Sequence, residues 1–235
     1  MCGRYALITV GDELAAALGL ADVTVHARAR YNIAPSQPVP VVTAAEPRRL
    51  VLMRWGLAPP WKTKDQSGAR PLINARAESL AERPTFREPL RRHRCLVPAD
   101  GFYEWQRQGN RRQAWYFYRR DRRPFVFAGV YVPVAGGGED VGTVAIVTCA
   151  PNSVLAPVHD RMPVLLAEGA RQVWLSAEDR VAELLRLLQP FPSAEMAGHP
   201  VSAAVNTPRA DGADLIRPLP QKELQFQSPS GGPIR

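Results

Sequence analysis

The sequence predicts a single α+β domain whose middle is dominated by β-strands. Three observations predict it. Apolar runs of strand length, rich in β-branched and aromatic residues, recur between residues 39 and 166; capping signals open helical patterns near the start and beyond residue 175; and the 23 prolines and 17 glycines are scattered between these runs instead of gathered in a linker. With 235 residues, 46% of them hydrophobic, the chain is long enough to bury one substantial core.

Taken in order, residues 4–9 (RYALIT) alternate as a strand, and Thr9-x-x-Asp12 has the form of a capping box opening a short helix through Leu18 that Gly19 closes. Strand-like runs follow at Val39–Thr43, Leu50–Trp55, Arg94–Val97, Phe102–Gln106, Ala114–Tyr118, Phe125–Tyr131, Thr143–Thr148 and Pro163–Leu166. Ser176-x-x-Asp179 is a second capping box. Val181, Leu184, Leu185 and Leu188 then recur at helical spacing, so residues 177–189 read as an amphipathic helix with its apolar stripe in the core. Gly136-Gly137-Gly138 lacks the Lys-Ser/Thr of a phosphate loop and reads as a hairpin tip. No internal repeat is present, and the Ser-, Gly- and Pro-rich end (LQFQSPSGGPIR) reads as a disordered tail over 223–235 behind a domain at 2–222.

Composition narrows the function classes. Arg4, Asp12 and Glu13 interrupt any apolar run long enough for a signal peptide or membrane span, so the chain reads as soluble and cytoplasmic, with no membrane partner. Cys2, Cys95 and Cys149 are too few and too far apart for a disulfide framework or a zinc knuckle; Cys95 and Cys149 read as small buried apolar residues, and no metal or cofactor is expected. The formal charge is +8, and 27 of the 30 basic residues are arginine. Guanidinium forks suit phosphate, so the clusters REPLRRHR (87–94) and RQGNRRQAWYFYRRDRR (107–123) modestly favour a nucleic-acid partner over an ordinary solvated face.

Four segments place polar groups where core-building does not require them. The chain opens "MCGRY": aminopeptidases trim Met1 before a small residue, which would leave Cys2 with an α-amine and a thiol on adjacent carbons, a 1,2-aminothiol. Glu104 lies between Phe102, Tyr103 and Trp105; if its carboxylate points the same way as Phe102, desolvation raises its pKa toward neutrality and suits proton transfer, whereas on an edge strand it points into water. His159, between Pro157 and Asp160-Arg161, sits on a charged turn as an acid/base or as a simple turn cap. Asn74 precedes a good helical run (ARAE) and reads as an N-cap, a role compatible with an amide facing a cleft.

The blocks "MCGRY", "NARAES", "LVPADGFYEW" and "APNSVLAPVHDRMPVLL", from Cys2 to about Thr207, resemble the signature blocks of the SRAP family, the SOS response-associated peptidases, sensors that crosslink to abasic sites in single-stranded DNA. The resemblance implies a curved, barrel-like, mainly antiparallel β core with peripheral helices and a positively charged cleft. It implies Cys2 as nucleophile, Asn74, Glu104 and His159 as the polar groups around it, and Arg4 and Arg76 as DNA-backbone contacts, with Arg161 a further one. Trp61, beside Lys62 and Lys64, is a stacking candidate. The implied partner is single-stranded DNA carrying abasic sites, met by a monomer that joins the nucleoid on damage. A cysteine peptidase or self-processing hydrolase using Cys2, His159 and Glu104 or Asn74, and a non-reacting arginine-rich single-strand binder, are the competing readings.

Overall fold

A computed structural model of the chain describes residues 2–26, 28–57, 71–134, 140–176 and 180–220. In chain order these form β1 (Arg4–Leu7), α1 (Gly11–Leu18), β2 (Arg30–Ile33), β3 (Pro38–Thr43), β4 (Val51–Trp55), β5 (Asn74–Arg76), α2 (Pro84–Arg92), β6 (Arg94–Ala99), β7 (Gly101–Gln108), β8 (Arg111–Arg119), β9 (Phe125–Pro133), β10 (Asp140–Cys149), β11 (Met162–Pro163), α3 (Glu168–Leu175), α4 (Val181–Arg186) and β12 (Met196–Pro200). Trp61, the Gly136–Gly138 stretch, most of the Ser176–Asp179 box and the segment after Glu223 lie outside the described residues.

The expected barrel is present. Antiparallel pairing links β4 to β3, β3 to β6, β6 to β9 and β9 to β10, and a parallel pairing of β10 with β4 closes the ring. Closure leaves these five strands without a free edge, which is how a small all-β core avoids edge-to-edge association. A separate antiparallel sheet, ordered β12-β8-β7-β1-β2, packs beside it. Its alternation serves two cores. Tyr5, Leu7, Phe102 and Phe117 join the barrel's apolar cluster, while Ala6, Tyr103, Ala114 and Tyr116 pack beneath Val201, Val205 and Leu215. Tyr5 anchors β1 to the barrel through edge contacts with Trp55 and Phe127, at centroid distances of 5.4 and 5.8 Å.

β10 changes partners along its length. Its first half lies between β4 and β9; from Ile146 onward it pairs with β5 in parallel, and Thr148 and Cys149 pair with β11. The barrel is thus pried open at the C-terminal end of β10, and β1 and β7 pack against that opening.

Several expectations are corrected. Residues 74–76 form a strand, not the start of a helix: the helical propensity of NARAES gives way to backbone pairing with Ile146–Thr148, and only a 3-10 turn, Ala77–Ser79, follows. Thr9 does not cap α1. Its hydroxyl donates to Asp100 Oδ1 at 2.6 Å, and the N-cap is Val10, with no side-chain bond; Gly19 does close α1, with φ of 66°. Ser176 ends α3, its hydroxyl donating to the Val173 carbonyl at 2.8 Å, and the helix beyond it is short, Val181–Arg186. β2, β12, α2 and α3 are elements that the periodicity did not show. α2 starts with Pro84 in its first turn and carries Pro89 inside it. The buried Arg94 donates to the Leu90, Arg91, Trp174 and Ser176 carbonyls, which satisfies the ends of α2 and α3 together.

Candidate active site

The opening at the end of β10 gathers Cys2, Asn74, Glu104 and His159 from four distant segments. β1 brings Cys2 to the junction, where the residue is fully buried and its thiol makes only a weak contact, 3.9 Å, with the Arg4 carbonyl. Asn74, on β5 opposite Ile146, donates from Nδ2 to the Cys2 carbonyl at 2.9 Å. Among the described residues its buried Oδ1 has no hydrogen-bond partner, an acceptor beside the Cys2 backbone.

Glu104 points the way Phe102 points, toward the barrel, and is 1% exposed. Burial pushes its pKa up to about 7; the positive charge of the chain's amino terminus and the Trp105 amide hold it from rising further. The Cys2 thiol is also pushed up, by burial first and by the Glu104 carboxylate second, so it rests as a neutral thiol.

His159 lies on the loop between β10 and β11. Nε2 stands 3.8 Å from Glu104 Oε2, while Nδ1 is 3.0 Å from Asp160 Oδ1 and accepts the Arg161 backbone N–H at 3.0 Å. The two Nδ1 neighbours imply different protonation. An amide N–H only donates, so Nδ1 carries a lone pair, the ring is neutral, and its proton is assigned to Nε2 on the Glu104 side. Burial, and next the amino-terminal charge, lower the His159 pKa, which agrees with the neutral ring. At 3.8 Å the contact with Glu104 is longer than a hydrogen bond.

The arginines divide. Arg76 is exposed on β5, opposite Thr148. Arg161 is held bidentately by Glu78, at 2.6 and 2.8 Å, and also donates to the Thr148 carbonyl at 2.7 Å, a pairing that lowers the Glu78 pKa. Arg4 pairs across the sheet with Tyr103, and residues so paired share a face, so its guanidinium is on the side away from Glu104. There Nη1 donates to Asn32 Oδ1 at 2.8 Å and the Val205 carbonyl at 2.7 Å, and Nη2 to the Asn206 carbonyl at 3.2 Å. The geometry brings Cys2, Asn74, Glu104 and His159 together and sets Arg4 apart from them. Trp61 lies outside the described residues.

Asn32 was not visible as a site residue. It is 2% exposed; besides accepting from Arg4, its Nδ2 donates to the Val205, Thr207 and Ala210 carbonyls. The same turn receives the Trp105 indole N–H on Asn206 Oδ1 at 2.7 Å, so Asn32 and Arg4 fasten the C-terminal segment under the strands that carry Cys2 and Glu104. The only sequence signal was an asparagine amid Tyr31 and Ile33 in a strand-like stretch. Asn32→Ala, which removes the bonds to the Val205, Thr207 and Ala210 carbonyls and the acceptor for Arg4 Nη1, is expected to lower unfolding free energy by about 2–3 kcal/mol in urea titrations.

Known proteins resemble this chain both in sequence and in fold. A family model described as SOS response associated peptidase (SRAP) matches residues 1–208. The abasic site processing protein YoqW of Bacillus subtilis is 36% identical over 222 residues, covering 92% of this chain and 99% of that protein. The abasic site processing protein YedK of Escherichia coli is 32% identical over 228 residues, covering 93% and 100%. A crystal structure of a protein from Bacteroides thetaiotaomicron superposes with a TM-score of 0.82 at 25% identity, covering 93% of this chain and 100% of that one. A match over this much of the length, in sequence and in fold, makes the chain a member of the SRAP family.

Proposed function

We propose that this chain processes abasic sites in single-stranded DNA and, with Met1 removed, captures the lesion covalently as a thiazolidine through the amine and thiol of Cys2. The observation that carries this reading is the convergence of Cys2, Asn74, Glu104 and His159 at the end of the barrel where β10 pairs with β5 and β11. The relatives' names, abasic site processing proteins, supply the substrate.

The sugar of an abasic site must first open from hemiacetal to aldehyde. Glu104, half ionised near pH 7, takes the proton of the anomeric hydroxyl and returns it to the released ring oxygen, while the His159 Nε2–H donates a hydrogen bond to that oxygen. Asn74 Oδ1 accepts from the Cys2 amine and aims its lone pair at the aldehyde carbon. An α-amine with a pKa of roughly 7.7–8 is partly neutral at cellular pH and adds to that carbon. The carbinolamine hydroxyl takes from Glu104 the proton that the Cys2 ammonium gave to that carboxylate on becoming the neutral amine, and leaves as water, giving an iminium ion. Sulfur then adds to the iminium carbon as the thiol proton passes to the Glu104 carboxylate, closing a five-membered ring with the net loss of one water. A thiol kept neutral until a cation forms beside it suits this order, because the amine reacts first.

The peptidase reading fits less well. A thiolate–imidazolium pair needs the cysteine pKa lowered and the histidine pKa raised, and here Cys2 is pushed up and His159 down. The deciding experiment incubates the Met1-free protein with a single strand carrying one abasic site, then applies a denaturing gel and intact mass. The expected product survives denaturation with the summed mass less one water; salt-reversible binding alone would leave only the non-covalent reading.

A further inference from the structure

Several arginines of the clusters seen in the sequence have partners in the fold. Arg94 is buried among helix-end carbonyls, Arg92 pairs with Glu88 at 2.9 Å, Arg119 pairs with Asp121 at 2.5 Å, and Arg122 stacks on Tyr118 at 3.6 Å from the ring centroid. At the tip of the β7–β8 hairpin the pattern differs. Arg107 stands directly opposite Arg112, and Gln108 opposite Arg111, all four exposed, around a turn in which Gly109 has φ of 58°. Like charges directly opposite each other destabilise a pair of strands. Among the described residues no carboxylate pairs with Arg107, Arg111 or Arg112.

The tip is also tied to the reactive cluster. Glu104 and Arg107 lie three residues apart on one continuous strand, about 10 Å at strand rise, with Arg107 and Arg112 on the opposite face from Glu104, and Gln108 and Arg111 on the Glu104 face. Gln106, between them, donates from Nε2 to the Pro157 carbonyl at 3.1 Å, which docks the hairpin on the loop that carries His159. A cavity of about 450 Å³ at the root of the hairpin has Arg111, Arg112, Gln108 and Ser202, groups suited to phosphate oxygens, on walls completed by Gln113 and by apolar residues such as Val201 and Leu219.

We infer that the hairpin tip is a second phosphate-binding surface, on which Arg107, Arg111 and Arg112 hold the backbone of the same single strand beyond the lesion. The inference rests on the abasic-site reading for the identity of the strand. The tip contributes affinity and register, not chemistry: it makes the approach of a long strand salt-dependent and leaves the reaction at Cys2 untouched.

The test separates the two ideas. Binding of an oligonucleotide of about 16 nucleotides is measured by fluorescence anisotropy against salt in a Cys2→Ala background, where no ring can form. Combining Arg107→Gln, Arg111→Gln and Arg112→Gln is expected to reduce the slope of log affinity against log salt by about 2, near 0.7 for each phosphate no longer neutralised, and each single substitution by about 0.7. The single variants keep the test valid if the triple variant folds poorly. With Cys2 restored, the triple variant is expected to crosslink a long abasic strand several-fold more slowly at limiting DNA, and an abasic trinucleotide at the parent rate. An unchanged salt slope overturns the hairpin surface even if crosslinking occurs; a reduced slope without any crosslink supports the surface while removing the covalent reading.

Discussion

Cys2→Ala is expected to abolish the heat-stable crosslink while leaving a transient one. Alanine at the second position still permits Met1 removal, so the variant keeps an α-amine in the same place and can form the iminium. It has no sulfur to trap it. An iminium hydrolyses when the protein is denatured, so the gel shift disappears on heating but is recovered if borohydride reduces the adduct first. The lingering iminium also acidifies the C2′ position of the sugar and promotes loss of the 3′ phosphate, so strand cleavage is expected to rise above the parent's. A variant lacking the thiol that crosslinks as stably as the parent would overturn the ring. Retaining a residue ahead of Cys2 is expected to remove both the stable and the borohydride-trapped species, because the amine becomes an amide.

Glu104→Gln is expected to slow crosslinking about a hundredfold or more, the range lost when a positioned acid–base group is removed, with single-strand affinity unchanged. The parent rate should bend near pH 7, where Glu104 changes charge; in the variant that bend vanishes and the remaining dependence follows the α-amine near pH 7.7–8. Stability supplies a second readout. The Glu104 pKa is raised from 4.5 to about 7 on folding, so between these values the folded protein holds the extra proton and stability falls as pH rises. The near-isosteric glutamine removes that loss, making the variant more stable than the parent at pH 8 by about 3 kcal/mol. A merely structural glutamate would change the stability profile without moving the bend in rate.

The barrel strands were legible because residues such as Val39, Val41, Phe125 and Phe127 form runs that only a doubly covered strand uses. Glu104 was half legible: its parity with Phe102 offered a buried carboxylate as one of two readings, and only the packing of the sheet against the barrel decides for it. β5 was not legible: Asn74-Ala75-Arg76 favours a helix locally, and its strand geometry is imposed by Ile146–Thr148, which lie some seventy residues away. α2 was obscured by Pro89. Arg4 and Asn32 show the same limit. Their partners, Val205 and Asn206, lie at the other end of the chain, so no local pattern distinguishes a buried clamp from a residue awaiting phosphate.

Cys2 is buried among residues translated long after it, and this sets a timetable. At about 5–20 residues per second, His159 follows Cys2 from the ribosome by about 8–30 s. During that interval the start of the chain is bare and open to aminopeptidase; once β5, β7 and the His159 loop have packed around Cys2, that residue is 0% exposed. On the proposed chemistry, the fraction of chains able to react is set by how completely Met1 is removed, and slowing aminopeptidase is expected to yield a sound fold that does not crosslink.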